Sequence, residues 1–238
     1  DVYFDYSKSI SNYYLTWGWN DKSNSVIRYS STRIFSSLSK YKKIKHVTYG
    51  ELNVCFILCS FSKIGECLPD NYVENLKAEK SRIILLKMIK NQKGHKIFLK
   101  PRSGSFLLKN KRKFYDKFIT LKNKARMYEI FGKYNIVIFE RLSLGIVECM
   151  HLNQPTIFYY PKNLYKQKSK KFNELLSLLK KANIYYDDKR KISKLVSSRK
   201  NISNWWENKN NIKNRHLFLS KYANSFNFSD LNKIKKLI

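Results

Sequence analysis

The pattern of apolar and polar positions changes character near residue 50. Residues 1–50 are polar, rich in Ser, Asn and Tyr, and poorly periodic. Beyond them, apolar runs alternate with helical stripes. LNVCFILCS (52–60) is apolar at nearly every position and rich in β-forming residues, the pattern of a strand covered on both faces in a parallel sheet. YVENLKAEKSRIILLKMIKN (72–91) has apolar positions at helical spacing. Asn91-Gln92-Lys93-Gly94 ends it, with Gly94 suited to the left-handed backbone that follows a helix. HKIFLKP (95–101) is a second strand, stopped by Pro101. Residues 110–132 read as a helix interrupted near 120–124, and NIVIF (135–139) as a third strand. A short helix over 143–152, a strand TIFYYP (156–161), a long amphipathic helix (163–183) and a short strand IYYDD (184–188) follow. From about residue 188 the pattern is helical to the end and includes Trp205-Trp206.

This alternation predicts an α/β fold: a Rossmann-like parallel sheet with helices on both faces, joined by right-handed crossovers, plus C-terminal helices. The organisation expected is an N-terminal extension (1–50), a nucleotide-binding domain (51–200) and a helical extension (201–238). Sheets of this kind bind ligands at the carboxyl ends of their strands. Functional residues are therefore expected in the loops after 52–60, 95–100, 135–139 and 156–160.

Composition narrows the classes. With 238 residues, 43% hydrophobic, the chain is long enough to bury a core and is not disordered by composition. No run of 18 apolar residues marks a membrane span, and the start lacks the layout of a signal peptide. The chain opens on Asp1 rather than Met, which suggests a processed chain or part of a longer one. Cys55, Cys59, Cys67 and Cys149 lack the spacing of a zinc site; Cys55 and Cys59, four apart on one face of a strand, read as buried free thiols in a reducing compartment. His46, His95, His151 and His216 are too scattered for a catalytic or metal pattern. The 48 basic and 17 acidic residues leave a formal charge of +31, which invites an anionic partner, but the lysines are spread along the chain. Neither a P-loop nor G-x-G-x-x-G occurs, which weakens kinase and dehydrogenase readings.

The most informative segment runs from Phe139-Glu140-Arg141-Leu142-Ser143-Leu144-Gly145-Ile146-Val147-Glu148 to Asn153-Gln154-Pro155-Thr156. It reads strand, turn, helix, turn, strand. Ser143 is a suitable N-cap, and Leu144 and Gly145 offer backbone N–H groups at a helix N-terminus, a ready phosphate site. Gly145 admits a close ligand, and the carboxylate of Glu148 is spaced to accept from both hydroxyls of a ribose. Lys100 and Arg102, in Lys100-Pro101-Arg102-Ser103-Gly104-Ser105, suit the neutralisation of a diphosphate.

Strand–S-x-G-x-x-x-E–helix–N-x-P-T–strand resembles the donor-nucleotide segment of GT-B glycosyltransferases, and the Glu140 to Glu148 spacing is similar to the E-x7-E pattern of their retaining members. Tyr14-Leu15-Thr16-Trp17-Gly18-Trp19, Ser60-Phe61, Leu152-Asn153-Gln154-Pro155-Thr156-Ile157, Lys181-Ala182-Asn183-Ile184 and Trp205-Trp206 with Arg215–Tyr222 narrow the likeness. Together they resemble a bacterial GT-B-type transferase family of surface carbohydrate synthesis, lipopolysaccharide or polysaccharide, over its C-terminal half. The resemblance implies a nucleotide-activated sugar donor, a glycan or lipid-linked acceptor, an N-terminal domain needed for activity, and no cofactor or metal. It implies Glu140 near the donor sugar, as the candidate catalytic residue, and Glu148 near the ribose. A His that some GT-B transferases carry beside Pro101 is absent, which puts a catalytic role for that loop in doubt. The expected location is the cytoplasm, at the inner face of the membrane if the charge meets anionic lipid. Two other readings stay open: a basic nucleic-acid-binding protein, for which no RRM, KH, zinc-finger or helix-turn-helix pattern is present, and a catalytically inactive Rossmann docking module.

Overall fold

The computed structural model describes residues 14–16, 26–28, 44, 50–58, 69–101, 112–121, 130–140, 142–161 and 170–223. Two short strands, β1 (Tyr14–Thr16) and β2 (Val26–Arg28), pair in parallel within the stretch that shows no periodicity in sequence. The main body follows as β3 (Leu52–Ile57), α1 (Pro69–Lys90), β4 (His95–Lys100), α2 (Arg112–Tyr115), β5 (Ile119–Thr120), β6 (Ile136–Phe139), α3 (Leu144–His151) and β7 (Thr156–Tyr159). It closes with α4 (Lys170–Lys181), β8 (Tyr185–Tyr186), α5 (Lys189–Leu195), α6 (Arg199–Trp206) and α7 (Lys209–Tyr222).

Strands β3 to β8 form one sheet in the order β5-β4-β3-β6-β7-β8, every neighbouring pair parallel. Counted along the chain this is 3-2-1-4-5-6, the doubly wound Rossmann order. The central strand β3 aligns Val54 with Ile97 of β4 and with Ile136 of β6. Both faces of these strands are covered, which is why they are apolar at nearly every position. One core packs Cys55, Val137, Phe139 and Phe158 against α3, α4 and α7. The other packs Val54, Phe56, Ile138 and Ile157 against α1, α2 and α5.

One predicted helix is corrected. Of residues 110–132, only 112–115 are helical among the described residues, and Ile119–Thr120 form an edge strand on β4. Phe118 is buried while both residues of β5 are exposed, so the segment turns Phe118 inward and lays its backbone along the sheet. The described strands of the main sheet thus number six, where the pattern predicts five.

The motif Asn153-Gln154-Pro155-Thr156 has a structural explanation. Asn153 ends α3 at φ 59°, a left-handed conformation that Asn tolerates better than most residues. The Gln154 side chain is fully buried; it accepts from Gly132 N–H and donates to the Tyr134 carbonyl, both at 2.9 Å, clamping the turn that feeds β6. Thr156 Oγ1 donates to the Val137 carbonyl across the strand pair. Asn183 repeats the device after α4 at φ 53°. Gly94 also holds positive φ, 75°, in the turn after α1.

The tryptophan pair docks the last helices on these two asparagines. Trp206 is fully buried and its Nε1 donates to Asn153 Oδ1 at 2.8 Å, while Trp205 Nε1 donates to the Asn183 carbonyl at 3.1 Å. The Arg215 guanidinium lies 3.8 Å from the Trp206 ring centre, a cation–π contact that attaches α7 to α6. Trp17 and Trp19 lie outside the described residues.

Candidate functional site

In a sheet of this order the connection leaving β3 winds one way and the one entering β6 winds the other. The crevice between them opens at the carboxyl ends of β3 and β6. Leu58 stands at one lip, its N–H donating to the Lys100 carbonyl, and Glu140 at the other, directly after β6. The turn from Glu140 to Ser143 leads into α3, so the segment singled out in the sequence lies at the topological switch point.

Glu140 is the most constrained residue there. Its carboxylate accepts from Arg82 Nε at 2.5 Å, and both side chains are buried, 9% and 2% exposed. Arg82 Nη1 also donates to the Tyr115 hydroxyl at 3.3 Å, and that hydroxyl donates to Glu79 Oε1 at 3.2 Å. Glu79 is 1% exposed, and its second carboxylate oxygen has no hydrogen-bond partner. The network ties α1 and α2 to the end of β6. Burial alone would lower the Arg82 pKa, but the Glu140 charge and hydrogen bond, with Tyr115, hold it above its ordinary value. Burial pushes the Tyr115 phenol up to about 12, with the nearby carboxylates adding to it and Arg82 opposing. Arg82 and Glu79 are residues the sequence reading missed. They stand three and six positions before Leu85, on the apolar stripe of α1, and charges on a buried stripe were the available signal.

The nucleotide-binding candidates share α3. Ser143 is exposed and has extended backbone dihedrals, but its hydroxyl makes no capping bond. Ser143 is thus the N-cap by backbone geometry alone, and the first-turn N–H groups of α3 receive no side-chain oxygen from it. Leu144 is half-buried and Gly145 buried. Glu148, one turn further on, is 2% exposed and faces the interior with Cys149 and Ile146. Lys100 ends β4, buried at 8%, near enough to Cys55 to oppose the upward shift that burial imposes on that thiol. Arg102 and Arg141 lie outside the described residues. The crevice thus brings Glu140 and the N-terminus of α3 together, with Lys100 two strands away.

Other polar groups have structural partners. Cys55 and Cys149 are buried free thiols; burial raises the Cys149 pKa, and the charge of Glu148 adds to it, so neither is a thiolate nucleophile. Cys59 and Cys67 lie outside the described residues. His95 Nε2 meets the Val196 carbonyl at 2.6 Å, and His151 Nε2 the Ala223 carbonyl at 2.9 Å. Among the described residues no group of three or more His, Cys, Asp or Glu could hold a metal ion, and no helix is long and apolar enough to cross a membrane.

Solved structures with this fold include the wall teichoic acid polymerase TagF, at a TM-score of 0.54 and 12% identity, over 99% of this chain and 59% of that one. A form of TagF soaked with CDPG gives 0.53 and 13%, over 99% and 58%. The likeness at such identity is one of fold, and the chain spans under two thirds of the polymerase's length. No curated protein matches the sequence. The model of the LIC12162 family transferases does match, over residues 2–237, and with nearly the whole length so covered the chain belongs to that family.

Proposed function

We propose that this chain is the donor-binding half of a GT-B-type glycosyltransferase that uses a nucleotide-activated sugar in surface polysaccharide synthesis. The observation that carries the reading is position. The segment from Glu140 to Glu148, which resembles the donor segment of GT-B enzymes, lies at the switch point of a 3-2-1-4-5-6 sheet. In this reading the N–H groups of Leu144 and Gly145, with the uncapped Ser143 hydroxyl, hold a donor phosphate at the positive end of α3. Lys100 and Arg102 neutralise the charge that grows on the leaving diphosphate. Glu148 meets the ribose. Glu140, in contact with Arg82 Nε, faces the donor sugar as a hydrogen-bond acceptor. An N-terminal domain supplies the site for the glycan or lipid-linked acceptor, and the work is done in the cytoplasm.

A second reading has specific support: a catalytically inactive docking module. Glu148 is buried inside α3, and Glu140 is already engaged by Arg82. The contact of Glu140 with Arg82 is a duty in the fold that needs no ligand.

A thermal-shift screen separates the two. CDPG heads the ligand set, because a TagF structure was soaked with it, followed by CMP, CDP, UMP, UDP, GDP and ADP. A ligand at ~100 times its Kd stabilises by about 2.7 kcal/mol, roughly 2–4 °C of added Tm per kcal/mol in a domain of this size being easy to read. The expected result is a shift with one base, lost in Glu148→Ala. A shift that survives Glu148→Ala removes the ribose role; no shift with any ligand favours the docking module. Polynucleotide affinity that falls steeply with salt would instead favour the nucleic-acid reading.

A further inference from the structure

The outer face of α1 is basic over most of its length. From Leu76 to Lys90 its exposed positions are Lys77, Lys80, Ile84, Lys87 and Lys90, three or four residues apart and so on one face. The one carboxylate in that stretch, Glu79, is turned inward and buried. The short helix α5, packed in the same core layer as α1, likewise exposes only basic residues, Arg190, Lys191 and Lys194, whereas on α4 and α7 basic residues are diluted. On α4, Glu174 approaches Lys221 of α7 at 3.9 Å, and the exposed positions of α7 mix lysines with Asn210, His216 and Ser220. Among the described residues none of the four α1 lysines forms an ion pair.

The face extends onto its neighbour. Lys87 Nζ lies 5.9 Å from the ring centre of Phe114, and Lys90 Nζ 5.3 Å from that of Phe118, so both ammonium groups bridge from α1 to the α2–β5 turn. Lys113 of α2 is exposed, as are Asp116 and Lys117 of that turn. Two of the three large hydrophobic side chains exposed among the described residues belong here: Ile84 at 43%, within the lysine stripe, and Ile119 at 49%, next to Phe118.

We propose that the outer face of α1, with the α2–β5 turn, is a membrane-contact surface that seats the chain on an anionic bilayer. Charge complementarity selects an anionic partner. The details favour lipid over polynucleotide. The exposed cations of α1 are all lysines, point charges suited to a headgroup phosphate, and no arginine fork is exposed on the stripe. The rings of Phe114 and Phe118, which a base would need for stacking, lie under Lys87 and Lys90. Ile84 supplies an apolar side chain at the height where a bilayer would take it. A crossover helix starts at the carboxyl end of the preceding strand, so α1 begins beside the switch-point crevice. Seated this way, the crevice opens along the bilayer rather than away from it. The surface goes beyond the proposed donor site and stands whether or not that site takes a nucleotide.

The test is co-sedimentation of the full chain with vesicles of mixed phosphatidylglycerol and phosphatidylcholine, against phosphatidylcholine alone. Wild type is expected to bind the mixed vesicles, and less so as salt rises. The variant Lys77→Gln/Lys80→Gln/Lys87→Gln/Lys90→Gln is expected to lose roughly several hundredfold in partition, since each basic residue at an anionic surface contributes about fivefold. The control Lys180→Gln/Lys181→Gln/Lys209→Gln/Lys213→Gln removes the same charge from α4 and α7, on the other face of the sheet, and is expected to bind within severalfold of wild type. Ile84→Ser, with all charges kept, is expected to weaken binding by a smaller factor. Circular dichroism melts establish that each variant folds. Equal losses in the two lysine variants would reduce the effect to net charge and overturn the assignment. So would wild type that ignores the mixed vesicles, or single-stranded polynucleotide that binds more tightly than vesicles and depends on the same four lysines.

Discussion

At Arg82 a full positive charge is enclosed in a helix whose neighbouring stripe is apolar. Enclosing a pair of charges costs several kcal/mol, and the hydrogen-bonded contact with Glu140 offsets it only while both partners remain. Arg82→Met is therefore expected to lose about 3–5 kcal/mol of unfolding free energy, because the Glu140 carboxylate is left enclosed without its cation. The double variant Arg82→Met/Glu140→Leu should recover much of that loss. Denaturant melts of the singles and the double give the coupling, and additive losses would mean that the two charges do not act as a pair. Tyr115 carries a second prediction. Its phenol has an ordinary pKa of 10 and is pushed up to about 12, mainly by burial. For an acid whose folded pKa is raised, stability is intact below the unfolded value and is lost as pH rises through the folded one. Ultraviolet titration should show phenols that ionise only near pH 12, and Tyr115→Phe should reduce the loss of stability between pH 10 and 12. Tyr186 is also raised to about 12 by burial and bounds the size of that change.

At the scale of elements, α6 and α7 depend on two left-handed asparagines that receive the tryptophan N–H groups. Trp206→Ala is expected to cost roughly 3–5 kcal/mol, from lost packing and an enclosed space beside Asn153. Trp206→Phe should cost less while still losing the bond to Asn153 Oδ1. If α7 leaves the domain in Trp206→Ala, hydrogen exchange will show faster exchange through 209–222 with the strands still protected. The strands themselves were readable because a strand covered on both faces has apolar residues in succession, as in Val54-Cys55-Phe56. Strand β5 was not readable. It is two exposed residues in a lysine-rich stretch, and its existence depends on the backbone of β4 rather than on its own side chains. The crevice segment was legible because strand, turn and helix are contiguous in sequence. The Arg82–Glu140 pair was not, because 58 residues separate its partners and only the sheet brings them together. Ser143 was legible as an N-cap by type, but whether its hydroxyl closes on the helix depends on the turn before it, which residue type does not specify.

For the molecule as a whole, the strand order turns a list of separate signals into one place, since the switch point gathers residues from β3, β6 and α3. The +31 charge looks unspecific along the chain, yet folding sorts it: between Leu76 and Lys90, α1 turns its one acid, Glu79, inward and presents lysines outward. The donor screen and the vesicle assay therefore probe surfaces joined by one helix. Glu148→Ala is expected to leave vesicle binding unchanged, and the α1 lysine variant to leave any nucleotide-induced rise in Tm in solution within about 1 °C of wild type, small against the shift expected at saturation. A loss of both properties in either variant would show that the two surfaces are not independent.

The sheet ends on β5 at one side and β8 at the other, each two residues long. A longer exposed edge would present a row of unpaired N–H and carbonyl groups on which a second chain could template itself. Among the described residues the outermost strand at each flank is a stub, too short to hold a foreign strand in register. For a chain with 15% aromatic residues, edge-to-edge stacking into fibrils is disfavoured at these outermost strands. Resistance to aggregation in this fold is a matter of where its strands stop.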